Sequence, residues 1–208
     1  MKNSAIRRPS RIHFDYDEIV RLVAEGSSVL DLGCGNGDLL QKLIDIKNVR
    51  GRGIEIEESL IIECISKGIS VFQGDLDEGL RDYPTGSYDY VILNQTLQVT
   101  KKPTLVLKEM LRVGHYGIVS FPNFAYYKVR LNFILQGRMP VTRELPYRWF
   151  NTPNIHLCTR KDFLEYCTKE NIKIIKEINI SKNKAISKWF ANWRSADVLC
   201  ILSKNNGQ

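Results

Sequence analysis

Val29-Leu30-Asp31-Leu32-Gly33-Cys34-Gly35-Asn36-Gly37 is the stretch that decides the fold of this chain. Apolar residues broken only by Asp31 lead into three glycines spaced by single residues, and Asp38-Leu39-Leu40-Gln41-Lys42-Leu43-Ile44 follows with helical spacing. The pattern predicts a buried strand that turns sharply into a helix, with side chains absent where a ligand must touch backbone. The same geometry serves nicotinamide and flavin cofactors, so the glycines alone do not name a ligand. A dinucleotide fingerprint requires G-x-G-x-x-G, however, and here Gly37 arrives one residue early, with Asp38 in the dinucleotide glycine's place.

The 208 residues fit one domain, residues 1–208, large enough to bury a core, and 43% hydrophobic with 25% charged residues is the balance of a soluble globular protein. No apolar run approaches a membrane span, and the N-terminus lacks the apolar core of a secretory signal. The five cysteines, Cys34, Cys64, Cys158, Cys167 and Cys200, are odd in number, scattered and without a CxxC pair. That argues against disulfides and against a metal site, and points to the reducing cytoplasm. The net charge of +7 is spread along the chain, densest at Arg7-Arg8-Pro9-Ser10-Arg11, and reads as a solvated basic surface rather than a nucleic-acid site.

Outward from the glycine turn, strands and helices alternate. Residues 1–14 form a basic lead-in, and Asp15-Tyr16-Asp17-Glu18 offers a cap for a first helix. Strands are expected at Ser28–Leu32, Arg50–Glu55, Ile69–Phe72, Tyr88–Leu93 and His115–Phe121, with helices after the glycines, over Glu57–Ser66 and from Pro103. Such alternation implies right-handed crossovers and a parallel sheet covered on both faces. The rhythm breaks over residues 123–158, an expected insertion with one short helix, Tyr126–Gln136, ended by Gly137. Thr159-Arg160-Lys161-Asp162 is a capping box for the next helix. Two strands, Ile172–Ile180 and Ala196–Ser203, then pair antiparallel across a short connection, and Asn205–Gln208 is a frayed tail.

G-x-G-x-G with an acid two residues upstream resembles the first motif of class I S-adenosylmethionine (SAM) methyltransferases. Five parallel strands plus a terminal hairpin match their Rossmann-like α/β fold, a mostly parallel seven-stranded sheet with helices on both faces. In such a sheet ligands sit at the carboxyl ends of strands, where Asp31, Gly33, Cys34, Gly35, Asn36 and Gly37 fall. The turn's amides and the helix N-terminus suit a carboxylate such as the methionine tail of SAM or S-adenosylhomocysteine. Glu55, with Ile56 beside it, stands eighteen residues beyond Gly37, at the position from which a carboxylate accepts ribose hydroxyls. Asp75, followed by Leu76, resembles the family position that accepts from the adenine amino group. Asn94 opens Asn94-Gln95-Thr96-Leu97-Gln98, polar groups placed beside the sulfonium.

Cys34 reads as a compact filler between glycines rather than a nucleophile. No residue announces a general base. His156, just ahead of a capped helix, is the one weak catalytic candidate, and it fixes a loop equally well. Asn123, Tyr127, Arg130, Arg138 and Arg143 gather in the insertion, where they suit an anionic substrate or a partner surface.

Longer stretches carry a narrower resemblance. Gln73-Gly74-Asp75-Leu76-Asp77-Glu78-Gly79-Leu80, the run Tyr88 to Gln98 and Val119-Ser120-Phe121-Pro122-Asn123-Phe124 resemble the bacterial MetW family. So do Gly137-Arg138-Met139-Pro140-Val141-Thr142, Leu145-Pro146-Tyr147 and Asn151-Thr152-Pro153-Asn154-Ile155-His156-Leu157-Cys158, the most specific of these segments. Asn36 stands where the family often has Asp, and Asn94 where it often has Ser. The resemblance implies a methionine-biosynthesis protein of methyltransferase fold that supports homoserine O-acyltransferase. The alternative is a stand-alone SAM-dependent small-molecule methyltransferase. RNA methylation is the weakest reading, because strand four ends without an Asn-Pro-Pro-Tyr-like stretch and no basic RNA-binding module is added.

Overall fold

The computed structural model describes residues 14–142, 145–182 and 184–205. The basic run Arg7 to Arg11, Arg143 and the last three residues of the tail lie outside the described residues. Helix α1 (Phe14–Leu22) precedes β1 (Ser28–Leu32), α2 (Asp38–Lys47), β2 (Arg50–Glu55), α3 (Glu58–Ser66), β3 (Val71–Gln73) and β4 (Tyr88–Asn94). Then come α4 (Pro103–Val113), β5 (Gly114–Pro122), α5 (Tyr127–Gln136), α6 (Arg160–Lys169), β6 (Ile172–Ser181), β7 (Lys184–Ile186), α7 (Ala191–Arg194) and β8 (Asp197–Lys204).

The strands form one sheet in the order β3-β2-β1-β4-β5-β8-β6-β7. β1 to β5 run parallel, β8 inserts antiparallel between β5 and β6, and β6 pairs antiparallel with β8 as expected. An eighth strand, the three-residue β7, adds to the expected seven by folding back on β6. α1 begins at Phe14, one residue ahead of the expected cap.

Successive residues of a strand face opposite sides, so β1 feeds two cores. Leu30 and Leu32 join Leu93, Met110, Phe121 and Phe163 beneath α4 and α6. Val29 joins Ile19, Leu40, Ile92 and Ile118 beneath α1 and α2. Central strands buried on both faces are apolar along most of their length, which is why β1 apart from Asp31, Val91-Ile92-Leu93 of β4 and Ile118-Val119 of β5 read as apolar stretches.

Two local devices fix the C-terminal half. Both halves of the Thr159–Asp162 capping box form: Thr159 Oγ1 accepts from the Asp162 amide, and the Asp162 carboxylate accepts from the Thr159 amide. The Arg160 guanidinium forks onto Glu177, tying α6 to β6. Burial works against the Glu177 charge, but the hydrogen bonds from Arg160 and Asn179 win and hold its carboxyl below the usual range.

Candidate functional site

β1, β2, β3, β4 and β5 all present their carboxyl ends on one edge of the sheet. There the turn after β1 is lashed to β2, with the Gly33 and Cys34 amides donating to the Ile54 carbonyl at 2.8 and 3.1 Å. Gly33, Gly35 and Gly37 all take positive φ (71°, 60° and 79°), a region open to glycine at little cost. Gly33 and Gly37 are also needed for space. A Cβ on Gly33 would lie 2.8 Å from Thr96 Cγ2, and one on Gly37 would lie 2.5 Å from Ile69 Cδ1. Gly35 differs, since a Cβ there meets nothing within 4 Å. Its missing side chain leaves open room at the turn.

Glu55, buried at the end of β2, is the anchor of this edge. Its Oε2 accepts from the Gly35 amide at 2.8 Å, and its Oε1 accepts from the Ile56 and Glu57 amides at 2.9 and 3.1 Å. A carboxylate has about four acceptor positions, so about one remains, on Oε2. Glu55 thus also holds the two residues that lead into α3, without capping that helix, whose N-cap is Glu57.

Asp31 is buried in β1, and burial, with the Glu55 charge second, pushes its carboxyl up to about 7. The site thus holds two close carboxyls in unequal environments, one fed by three amides and one starved of solvent.

The loop amides expected to receive a carboxylate are mostly engaged by the protein itself. Gly33 and Cys34 donate to Ile54, Gly35 to Glu55, Gly37 to the Cys34 carbonyl and Asp38 to Asn36 Oδ1. Asn36 also donates from Nδ2 to Asp38, so it rigidifies the entry to α2. What the turn offers a ligand is room beside Gly35 more than free donors.

Cys34 packs against Gly53 so closely that a Cβ there would lie 2.3 Å from its sulfur. Burial pushes its thiol far up, with Asp31 adding to the effect, as suits a filler and not a nucleophile. Asp75 caps the short 3-10 turn Leu76–Glu78 by accepting from the Asp77 amide at 2.9 Å, and Leu76 packs on the core. Ile56 and the neighbouring Phe72 on β3 stay exposed, an apolar margin beside Glu55. Asn94 ends β4 half-buried, its Oδ1 accepting from the Ser120 hydroxyl.

His156 is exposed, and its loop is held by backbone: the Ile155 and His156 amides donate to the Gln98 carbonyl at 2.8 and 3.1 Å. This brings the Asn151–Cys158 segment to the end of β4, beside the same edge. Asn123 corrects the reading of the insertion. It is 2% exposed, its Nδ2 donating to the Asn192 and Ser195 carbonyls and its Oδ1 accepting from the Ala125 and Arg160 amides. With both ends of its amide spent on the fold, it is a structural joint and not a surface contact. Cys64 was missed, and Thr96, named only among the polar groups after β4, takes a packing role: Thr96 fills the space beside Gly33, and the Cys64 thiol donates to the Gly35 carbonyl at 3.2 Å. Only the compactness demanded by a glycine turn hinted at such neighbours.

Among the described residues no helix is long and apolar enough to cross a membrane, and no three His, Cys, Asp or Glu side chains group to hold a metal ion.

The sequence profile of the family described as "Methionine biosynthesis protein MetW" matches residues 13–202. The chain is 39% identical over 181 residues to the "Bifunctional methionine biosynthesis protein MetXA/MetW" of Rhodopirellula baltica, a match that takes 82% of this chain and only 29% of that protein's length. Among solved structures, a SAM-dependent methyltransferase from Mesorhizobium loti has a TM-score of 0.67 at 15% identity, over 91% of this chain and 97% of its own. One from Aquifex aeolicus has 0.63 at 15% identity, over 94% and 93%. The cyclase SpnF reaches 0.66 at 15% identity, over 93% and 82%, so the fold by itself does not fix the reaction.

Proposed function

The chain belongs to the MetW family of methionine biosynthesis proteins, and from that premise we propose that it binds SAM or S-adenosylhomocysteine at the carboxyl edge of its sheet and supports a homoserine O-acyltransferase. The observation that carries the ligand half is the Gly35–Glu55 arrangement: open space at the turn, beside a buried carboxylate with acceptor capacity left on Oε2. On this reading Glu55 accepts a ribose hydroxyl and Asp75 the adenine amino group. Ile56 and Leu76 flank the base, and Gly33 to Gly37 make room for the methionine half. Asp31 faces its ammonium, and Asn94 lies by the sulfonium. When bound, SAM supplies an activated methyl group on a sulfonium; the residues here bind and orient it. None of them is a strong base, and His156 is kept only as a weak candidate.

The partner half rests on the fused organisation of the Rhodopirellula relative, whose name joins MetXA to MetW in one chain. Fusion raises the effective concentration of two parts that work together. The same reading takes residues 1–208 as one domain with an insertion at about 123–158, placed in the cytoplasm. A SAM pocket in such a protein lets the pathway's downstream product set how strongly the partner is held, which requires that SAM favour one of two states.

Calorimetry of the purified chain with SAM, S-adenosylhomocysteine and NAD tests the ligand. Binding of the first two and not of NAD is expected; binding of NAD alone, or of none, overturns it. The alternative, a stand-alone small-molecule methyltransferase, is separated by a second assay. Conversion of SAM to S-adenosylhomocysteine by the chain alone over a pool of small metabolites favours that reading.

A further inference from the structure

Basic residues are spread along this chain, but acids are not. From Asn123 to Cys158 one acid, Glu144, stands against Lys128, Arg130, Arg138, Arg143 and Arg148. From Asn179 to Ala196 there is no acid, against Lys182, Lys184, Lys188 and Arg194. Nine of the thirty bases and one of the twenty-three acids fall in these two segments, which together carry +8 and leave −1 on the rest of the chain.

The fold brings the two segments together. The Tyr127 ring stacks on Trp193 with centroids 6.2 Å apart, and the Arg130 guanidinium lies 5.3 Å from the same indole. Leu145 packs with Tyr126, Val129 and Ala196, and the Asn123 amide donates to the Ala196 carbonyl at 2.8 Å. Both segments leave the sheet at the carboxyl edge that carries Glu55 and Asn94, because Pro122 and Ile180 both pair with Asp197.

What these segments turn outward is apolar. Ile134 and Leu135 of α5, Trp149 and Phe150 of the following loop, and Trp189 and Phe190 ahead of α7 each leave 61% or more of their surface in solvent. Exposed large side chains in this number, set among cations, are what interfaces use, whereas a solvated face carries few.

We propose that this aromatic and basic face is the docking surface for a protein partner whose own face is apolar at the centre and acidic at the rim. Resting on the reading above, that partner is the acyltransferase. A second copy of the chain fits poorly, since a two-fold contact would set these cations against themselves. Nucleic acid uses the cations and the indoles but gains little from Ile134 and Leu135, and its interfaces are polar.

The test is calorimetry of the full chain with its cognate acyltransferase at low and at high salt. Three variants are compared with wild type: Ile134→Glu with Leu135→Glu, Trp189→Ser, and Arg138→Glu with Lys188→Glu. Each should keep the wild-type melting temperature and SAM affinity. The apolar variants are expected to weaken the complex by about tenfold or more, as loss of a central anchor does. The charge variant is expected to slow association and to remove most of the salt dependence. A wild-type complex that all three variants leave unchanged overturns the surface and spares the functional reading. No wild-type complex at either salt overturns both. A concentration-dependent dimer, a single-stranded RNA or an anionic vesicle that depends on these residues while the acyltransferase does not would also overturn the assignment.

Discussion

The Gly35 amide donates to Glu55 Oε2 at 2.8 Å, joining the glycine turn after β1 to the end of β2 across twenty residues of sequence. One carboxylate therefore shapes the turn, and on the proposed function it would also hold the ligand, so that ligand affinity and the geometry of the turn would be coupled through it.

Glu55→Gln exchanges one acceptor oxygen for a donor nitrogen, which faces either the Gly35 amide or the Ile56 and Glu57 amides. We expect SAM affinity to fall by about 1–3 kcal/mol, the usual range for losing a charged hydrogen-bond partner. Calorimetry measures this, with a thermal melt to follow the fold.

Asp31 gives a pH dependence with a definite sign. Its folded value of about 7 lies above its ordinary 3.8, so the native state holds the extra proton between them. The associated stability is full below the lower value and is lost as pH rises through the upper one, at about 1.4 kcal/mol per unit. Urea midpoints of the ligand-free chain should fall between about pH 4 and about pH 7 and level off above, and Asp31→Asn should flatten that fall. A cationic ligand favours the ionised carboxyl, so SAM affinity should rise over the same interval.

Gly53→Ala should destabilise by about 1–3 kcal/mol through overpacking, because its Cβ would lie 2.3 Å from the Cys34 sulfur. Adding Cys34→Ala should recover a large part of the loss. A double-mutant cycle from urea unfolding measures the coupling, and additive effects would contradict the contact.

Asn123→Ala should cost about 2–4 kcal/mol, since it strips partners from the Ala125 and Arg160 amides and the Asn192 and Ser195 carbonyls together. Chemical denaturation checks the loss, and limited proteolysis should show the first new cuts within residues 124–158 or 182–195.

The strand, turn and helix around Gly33 to Gly37 were legible because their determinants are local: apolar alternation, glycine spacing and an acid at a fixed distance. So was the Thr159–Asp162 box, whose two halves are three residues apart. Asn123 was not, since two of its partners, Asn192 and Ser195, lie 69 and 72 residues away and leave no mark on its neighbourhood. The engagement of the loop amides was hidden for a related reason. The glycines advertise room, but which carbonyl each amide meets depends on the register of β1 with β2. The basic and aromatic character of the insertion was legible in Tyr127, Arg130, Arg138 and Arg143; its continuation by residues 179–196 was not, because that rests on the absence of acids there and on a fold that joins two distant segments.

The most direct measurement is the rate of homoserine acylation by the cognate acyltransferase, with and without this chain, each at zero and at saturating SAM. The account predicts a clear rise on adding the chain, and a rise that differs between the two SAM conditions makes the pocket regulatory. An acylation rate that the chain leaves unchanged in both conditions would contradict it.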